Sequence, residues 1–219
     1  MVTYQDVFKN EEIKTYIETA DQSLLALGFT EHSFAHVVRC ANVAHSILTG
    51  LGYDERTAEL AKIAGYMHDI GNVINRIDHA QSGAVMAFRI LDKMGMAPSE
   101  VARIITAIGN HDEHTAQPVS ELAAALILAD KSDVRRSRVR EKNTAVFDIH
   151  DRVNYSVTES FLKIDTEEKV FNLVLTIDTK ICQVSEYFEI FLERMLLCKR
   201  AAKFFDYTFA LTINNTRLM

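Results

Sequence analysis

Tyr66-Met67-His68-Asp69-Ile70-Gly71 sets an adjacent histidine and aspartate at the end of an apolar stretch. Burying such a pair without partners is costly, and a metal ion supplies the missing partner. Adjacent residues on a helix diverge by about 100°. One ion therefore reaches both only near a helix end or a bend, and Gly71 offers a bend. The two oxygens of Asp69 suffice to bridge two ions.

Working outward, ligands of the same kind recur on neighbouring predicted helices. His36 stands in His36-Val37-Val38-Arg39, on the helix before. His79 opens the helix after, in Asp78-His79-Ala80-Gln81, and His111 closes another, in Gly109-Asn110-His111-Asp112-Glu113. Asp130 follows the apolar run Leu122 to Ala129. A charge in that position is either a helix surfacing or a buried ligand, and the run before it favours the ligand. His32 lies four residues before His36 and competes with it. His45, His114 and His150 read as surface or supporting residues.

The frame around these residues is helical up to about residue 150. The apolar spacing predicts helices near 11–27, 31–50, 56–70, 80–94, 98–110 and 118–142. Gly28, Gly52, Gly71 and Gly95 are expected at helix ends. Pro98 and Pro118 are expected at helix starts, where a missing N–H costs nothing. Beyond 150 the period changes. Residues 152–164 and 169–177 are rich in β-branched and aromatic types, with a turn at Asp165–Glu168. A helix follows at 182–205, with Phe188, Phe191, Met195 and Leu196 as its apolar face. A last strand follows at 207–213. The expected class is mainly α: residues 1–150 a helical metal-binding bundle, residues 151–219 a small α+β (ββαβ) subdomain packed against it.

The ordered series His36, His68-Asp69, His79, His111, Asp130 resembles the HD superfamily, over roughly residues 30–140. The resemblance implies a helical bundle around one or two divalent ions. His36, His68, Asp69 and Asp130 would hold the first, and Asp69, His79 and His111 the second. The His-x-x-Arg context and the spacing to His68 favour His36 over His32. The two-metal form is similar to the HD-GYP cyclic-dinucleotide phosphodiesterases and to small bacterial HD hydrolases of diadenosine polyphosphates. The chain lacks a GYP motif, has Asn72 where a lysine is usual, and has a short segment from Asp69 to His79. These departures argue against cyclic di-GMP and favour the small hydrolases.

The expected function is therefore a metal-dependent phosphohydrolase acting on a phosphate ester or anhydride, of a nucleotide, through a metal-bound hydroxide. An HD-type di-iron oxygenase and a non-catalytic binding module are the alternatives, the second disfavoured by the filled ligand positions. A nitrogen and oxygen ligand set suits Fe, Mn, Co, Ni or Zn without choosing among them. Lys131, Arg135, Arg138 and Lys142 would form one stripe of the predicted 118–142 helix. Arg135 and Lys142 read as a solvated face. For Lys131 and Arg138, a solvated face and substrate-phosphate binding stand level, with Lys131 also a catalytic candidate beside Asp69. Asp133 reads as a support for the ligands or as surface.

Composition narrows the partners. The chain has 219 residues, 48% hydrophobic, with a net charge of -6. An acidic chain is not built to grip duplex nucleic acid, whose affinity rests on clustered positive charge. The apolar run before Asp130 is too short to span a bilayer, and no signal peptide is expected at the N-terminus. Cys40, Cys182 and Cys198 form no CxxC pair and read as reduced thiols of a cytoplasmic protein. The edge of the C-terminal sheet suggests a homodimer.

Overall fold

The computed structural model describes residues 1–141 and 143–219. Seven helices come first: α1 (Tyr4–Lys9), α2 (Glu11–Ala26), α3 (Phe34–Gly50), α4 (Glu55–Met67), α5 (His79–Lys93), α6 (Pro98–Gly109) and α7 (Glu121–Lys131). Then follow α8 (Ile149–Ser156), β1 (Val157–Asp165), β2 (Val170–Ile177), α9 (Val184–Phe204), β3 (Thr208–Ile213) and β4 (Thr216–Arg217). The molecule is mainly helical with a small C-terminal sheet.

Helix starts follow side-chain chemistry. Asn10, Ser33, Asp54 and Ser120 each accept a bond from a backbone N–H of the following first turn. Each such cap contributes about 1 kcal/mol. Pro98 sits in the first turn of α6 as expected, whereas Pro118 lies in the loop before Ser120. Gly28, Gly52 and Gly95 follow helix ends in the left-handed region, with φ near 80°.

Helix α7 is buried along its length from Leu122 to Lys131. It is apolar on every face, as a central helix must be. It packs against α3, α4, α6 and α9. Full burial of a leucine or isoleucine stabilises by about 1.5–3 kcal/mol, so this helix is the axis of the core.

The predicted 118–142 helix is shorter than expected. After Lys131 the chain turns at Ser132, runs extended at Arg135, and makes one 3-10 turn over Arg136–Arg138. Buried bonds of Asp133 and Arg138, described below, outweigh helix continuation. The expected basic stripe therefore does not exist, and Lys142 lies outside the described residues. The strand expected from 152 begins only at Val157, because Asp148 caps α8 over residues 149–156.

The sheet has the order β1-β2-β3-β4. β1 and β2 form an antiparallel hairpin, β2 and β3 are parallel across the α9 crossover, and β3 and β4 are antiparallel. Phe171, Leu173, Leu175 and Ile177 of β2 are buried at period two, as are Phe209, Leu211 and Ile213 of β3. The buried stripe of α9 is Tyr187, Phe191, Met195, Cys198 and Ala202, while Leu196, expected inside, is about half exposed. α9 also packs on α7, which carries it to the place where α7 ends.

Candidate metal centre

Six helical segments bring their ends together below the C-terminus of α7. His68 closes α4, and Asp69 precedes a 3-10 turn over Ile70–Val73. The change from α to 3-10 winding supplies the bend that lets both side chains face one place. Gly71 has a different job from the expected one. A Cβ there would overlap the His79 carbonyl and the Gly83 amide, so glycine lets α5 close on the turn and brings His79 against Asp69.

His36, His68, Asp69, His79, His111 and Asp130 are all buried. The structure brings the six into one cluster. From Asp69, Oδ2 lies 3.2 Å from His68 Nε2 and 3.6 Å from His36 Nε2. Its Oδ1 lies 3.5 Å from His79 Nε2 and 4.0 Å from His111 Nε2. Asp130 Oδ1 lies 3.3 Å from His36 Nε2 and 3.8 Å from His68 Nε2. The carboxylate of Asp69 thus stands between two pairs of imidazoles, one oxygen toward each.

The other nitrogen of each ring is fixed. Nδ1 of His68 lies 2.8 Å from Gly65 O, that of His79 3.0 Å from Arg76 O, and that of His111 2.6 Å from Ile108 O. A carbonyl only accepts, so each Nδ1 carries the proton and donates. His36 Nδ1 donates to Asp133 Oδ2 at 2.8 Å. All four rings therefore turn Nε2 toward the cluster, the arrangement in which outer hydrogen bonds orient metal-binding histidines.

The donor set passes a direct test for a cation. His68 Nε2 is buried and has no hydrogen-bond partner among the described residues, despite its closeness to Asp69. Ligands bound at about 2.0–2.2 Å to a shared ion lie roughly 3–4 Å from one another, and the separations above fall in that range. Burial and the neighbouring His68 and His79 rings hold His111 well below the ordinary histidine range, leaving its lone pair free at neutral pH. Burial opposes the charge on Asp69 and Asp130. For Asp69 the His68 ring, and for Asp130 the Lys131 ammonium and the His36 ring, outweigh it and hold both carboxyls well below their usual range. Cys40 Sγ lies 3.6 Å from His36 Nδ1. Burial and the charges of Asp130 and Asp133 push its thiol well up in the metal-free chain, and its sulfur lies close enough to His36, His68 and Asp130 to share a metal ion with them.

Two neighbours of the cluster, Asn72 and Asp112, carry no sequence signal of their role, whereas Asp133 is expected as a support or as surface. Asn72, noticed only as a departure from the usual lysine, donates through Nδ2 to Asp69 Oδ1 at 3.0 Å and to Asp69 O at 2.9 Å. Asp112 Oδ1 lies 3.9 Å from His79 Nε2. Asp133 is buried and bonds His36, Arg39 and Arg135, which makes it a support for a ligand. Burial raises its pKa, but the His36 bond and the Arg138 charge outweigh this and drive it far down. Arg135 pairs with Asp133 and Glu31, in line with its reading as a charge paired with carboxylates.

A cavity of about 240 Å³ opens over Asp69, His79 and Asp130. Lys131 is buried in its wall, 2.7 Å from Asp130 Oδ2 and 3.5 Å from Glu113 Oε1. Burial disfavours its charge, yet these carboxylates raise its pKa above the ordinary lysine value. Arg138 also lines the cavity, though its Nε donates to Glu31 O and its Nη1 to Asp133 O. His32 lines it from the loop before α3 and lies outside the cluster, its Nδ1 on Thr30 O. The sequence also missed Arg76 and Arg194 in the lining.

The HD domain model matches residues 33–135. The uncharacterized protein MJ1020 of Methanocaldococcus jannaschii is 24% identical over 207 residues, covering 84% of this chain and 80% of its own. The crystal structure of a predicted HD superfamily hydrolase from an uncultured Thermotogales bacterium is 29% identical. It covers 57% of this chain and 67% of its own, with a TM-score of 0.45. The matched span, a little under half of the chain, holds all six clustered residues, and over residues 33–135 the chain is similar to the HD domain.

Proposed function

We propose that the protein is a metal-dependent phosphohydrolase acting on a phosphate ester or anhydride of a small molecule, in particular a nucleotide. The observation that carries this reading is the Asp69 carboxylate, with Oδ2 toward His36 and His68 and Oδ1 toward His79 and His111. With ions bound, His36, His68, Asp69 and Asp130 would hold one divalent ion, and Asp69, His79 and His111 would hold a second. Such a pair supplies Lewis acidity toward a phosphoryl group and acidifies water.

The chain's own groups do the rest. Asn72 holds the Asp69 carboxylate in orientation through its amide. Asp133 holds the His36 ring with Nε2 inward. Lys131 keeps its proton, because Asp130 and Glu113 favour the ammonium, and offers a fixed positive charge in the cavity wall. Arg138 adds charge at the cavity but is committed to two carbonyls, so Lys131 is the stronger candidate for substrate contact. A cavity of this size suits the phosphate end of a small molecule. Among the described residues no helix is long and apolar enough to cross a membrane.

Metal analysis of the purified protein, coupled to a phosphate-release screen over nucleotides and simple phosphoesters, tests the reading. Phosphate release that requires bound metal is expected. Metal-loaded protein that takes up oxygen and releases no phosphate from any phosphoester would contradict it.

A further inference from the structure

We propose that Arg194, from α9 and outside the HD domain, binds the terminal phosphate of a small phosphomonoester. The proposal rests on the hydrolase reading above and narrows it.

Arg194 lines the same cavity as Asp69, Asp130 and Lys131. Its Nε forms an ion pair with Glu113 Oε1 at 2.6 Å but makes no hydrogen bond among the described residues, and its guanidinium sits 4.5 Å from the centre of the Phe191 ring. Phe191 is buried in the stripe that fixes α9. The guanidinium is thus held from one face and one edge. Its two terminal nitrogens find no acceptor among the described residues, at the wall of a partly enclosed cavity. A planar fork with free donors matches the oxygens of a phosphate better than any other common side chain does.

Charge in the wall points the same way. Glu113 is shared between Lys131 and Arg194. Two cations therefore divide one carboxylate, and Asp130, the other partner of Lys131, belongs to the metal cluster. Lys131 and Arg194 balance Asp130 and Glu113 in the metal-free wall, and divalent ions held by Asp130 would tip that balance toward an anion.

The same geometry separates monoesters from diesters. A phosphomonoester offers three non-bridging oxygens, enough to face the metal cluster and the Arg194 fork together. A diester offers two. The cavity of about 240 Å³ lies below the roughly 300–1,000 Å³ of pockets that enclose a drug-sized ligand. It takes the phosphate end of a substrate, while the remainder passes the rim formed by Asp148 and Asp151 of the α8 end.

The test is binding of inorganic phosphate to the metal-loaded full chain by calorimetry, for wild type, Arg194→Ala and Arg194→Lys, with metal content measured on each. Charge-assisted hydrogen bonds of this kind correspond to about a 10- to 100-fold change in affinity. Arg194→Ala should bind phosphate at least about 10-fold more weakly with metal content unchanged, and Arg194→Lys should recover part of the loss. Wild type should also cleave p-nitrophenyl phosphate in preference to bis(p-nitrophenyl) phosphate, and Arg194→Ala should raise KM for the monoester more than it lowers kcat. Undiminished phosphate affinity in Arg194→Ala overturns the proposal and leaves the hydrolase reading standing. A metal-loaded wild type that binds no phosphate overturns both. If Arg194→Ala does not fold, Arg194→Lys decides, because affinity equal to wild type would show that the fork has no role.

Discussion

The helical part and the C-terminal sheet bury different kinds of side chain. Between α3 and α7 the interior contains His36, His68, Asp69, His79, His111, Asp130, Lys131 and Asp133 beside its apolar residues. In the sheet and on the inner face of α9 the buried set is Phe171, Leu173, Leu175, Phe191, Met195, Leu211 and their like. Buried polar groups contribute to stability only when partnered. The helical part therefore holds a costly cluster that an apolar core around α7 must sustain, and the sheet unit is a simple packing element that fixes α9. A change in the helical cluster should be read out as metal and chemistry, and a change in the apolar packing of the sheet and α9 as stability, with Arg194 of α9 the exception that reaches the cavity.

The largest effect is expected from Asp69→Ala, which removes a carboxylate facing all four imidazoles. Metal binding and hydrolysis should fall together to background, checked by elemental analysis and phosphate release. Retained metal would show that Asp69 is not the shared group. The matching change in the sheet is Phe171→Ala, at a fully buried position. A loss of about 3–5 kcal/mol is expected, measured by denaturant unfolding, with metal content per folded molecule unchanged. A large loss of metal from the folded form would break the contrast between the two regions.

Asp133→Asn sharpens it from within the helical part. The residue touches His36 from behind, and loss of such a support lowers metal affinity about 10- to 100-fold. A competitive chelator titration measures this. The same variant gives a smaller effect of pH on the metal-free chain. The folded pKa of Asp133 is depressed, so its contribution is present above the ordinary carboxylate value of 3.8 and is lost as pH falls below it. Stability should decline by at most about 1.4 kcal/mol per pH unit from this group, and the Asn variant should show a shallower decline. The smallest expected signal is thiol reactivity. Burial lifts Cys198 to about 12 and Cys182 to about 11, so neither should be alkylated appreciably at pH 8 without denaturant, which mass spectrometry would show.

The sequence was legible where function is written in local pattern. His68-Asp69 at a helix end, His79 opening a helix and Asp130 closing an apolar run are each readable from neighbours within about one turn. So were helices α2 to α6 and α9, because caps and apolar spacing are local, whereas α1 over Tyr4–Lys9 is not among the predicted helices. The end of α7 was not, since its length is set by Asp133 reaching His36, 97 residues away in sequence. Apolar spacing alone kept the helix going to 142. Residues 152–156 were assigned to a strand on composition, while the Asp148 cap turned them into α8. Gly71 was read as a bend because close approach of a distant backbone leaves no mark in the residues beside it. Arg194 was invisible for the same reason, as only the packing of α9 on α7 brings it to the cavity.

The central claim is that Asp69 stands between two ions. Metal-to-protein stoichiometry by inductively coupled plasma mass spectrometry, on wild type and His79→Ala purified under identical conditions, tests it most directly. Two ions per chain are expected in wild type and one in His79→Ala, because only the His79 and His111 side loses a ligand. One ion per chain in wild type, or an unchanged ratio in His79→Ala, would contradict the claim.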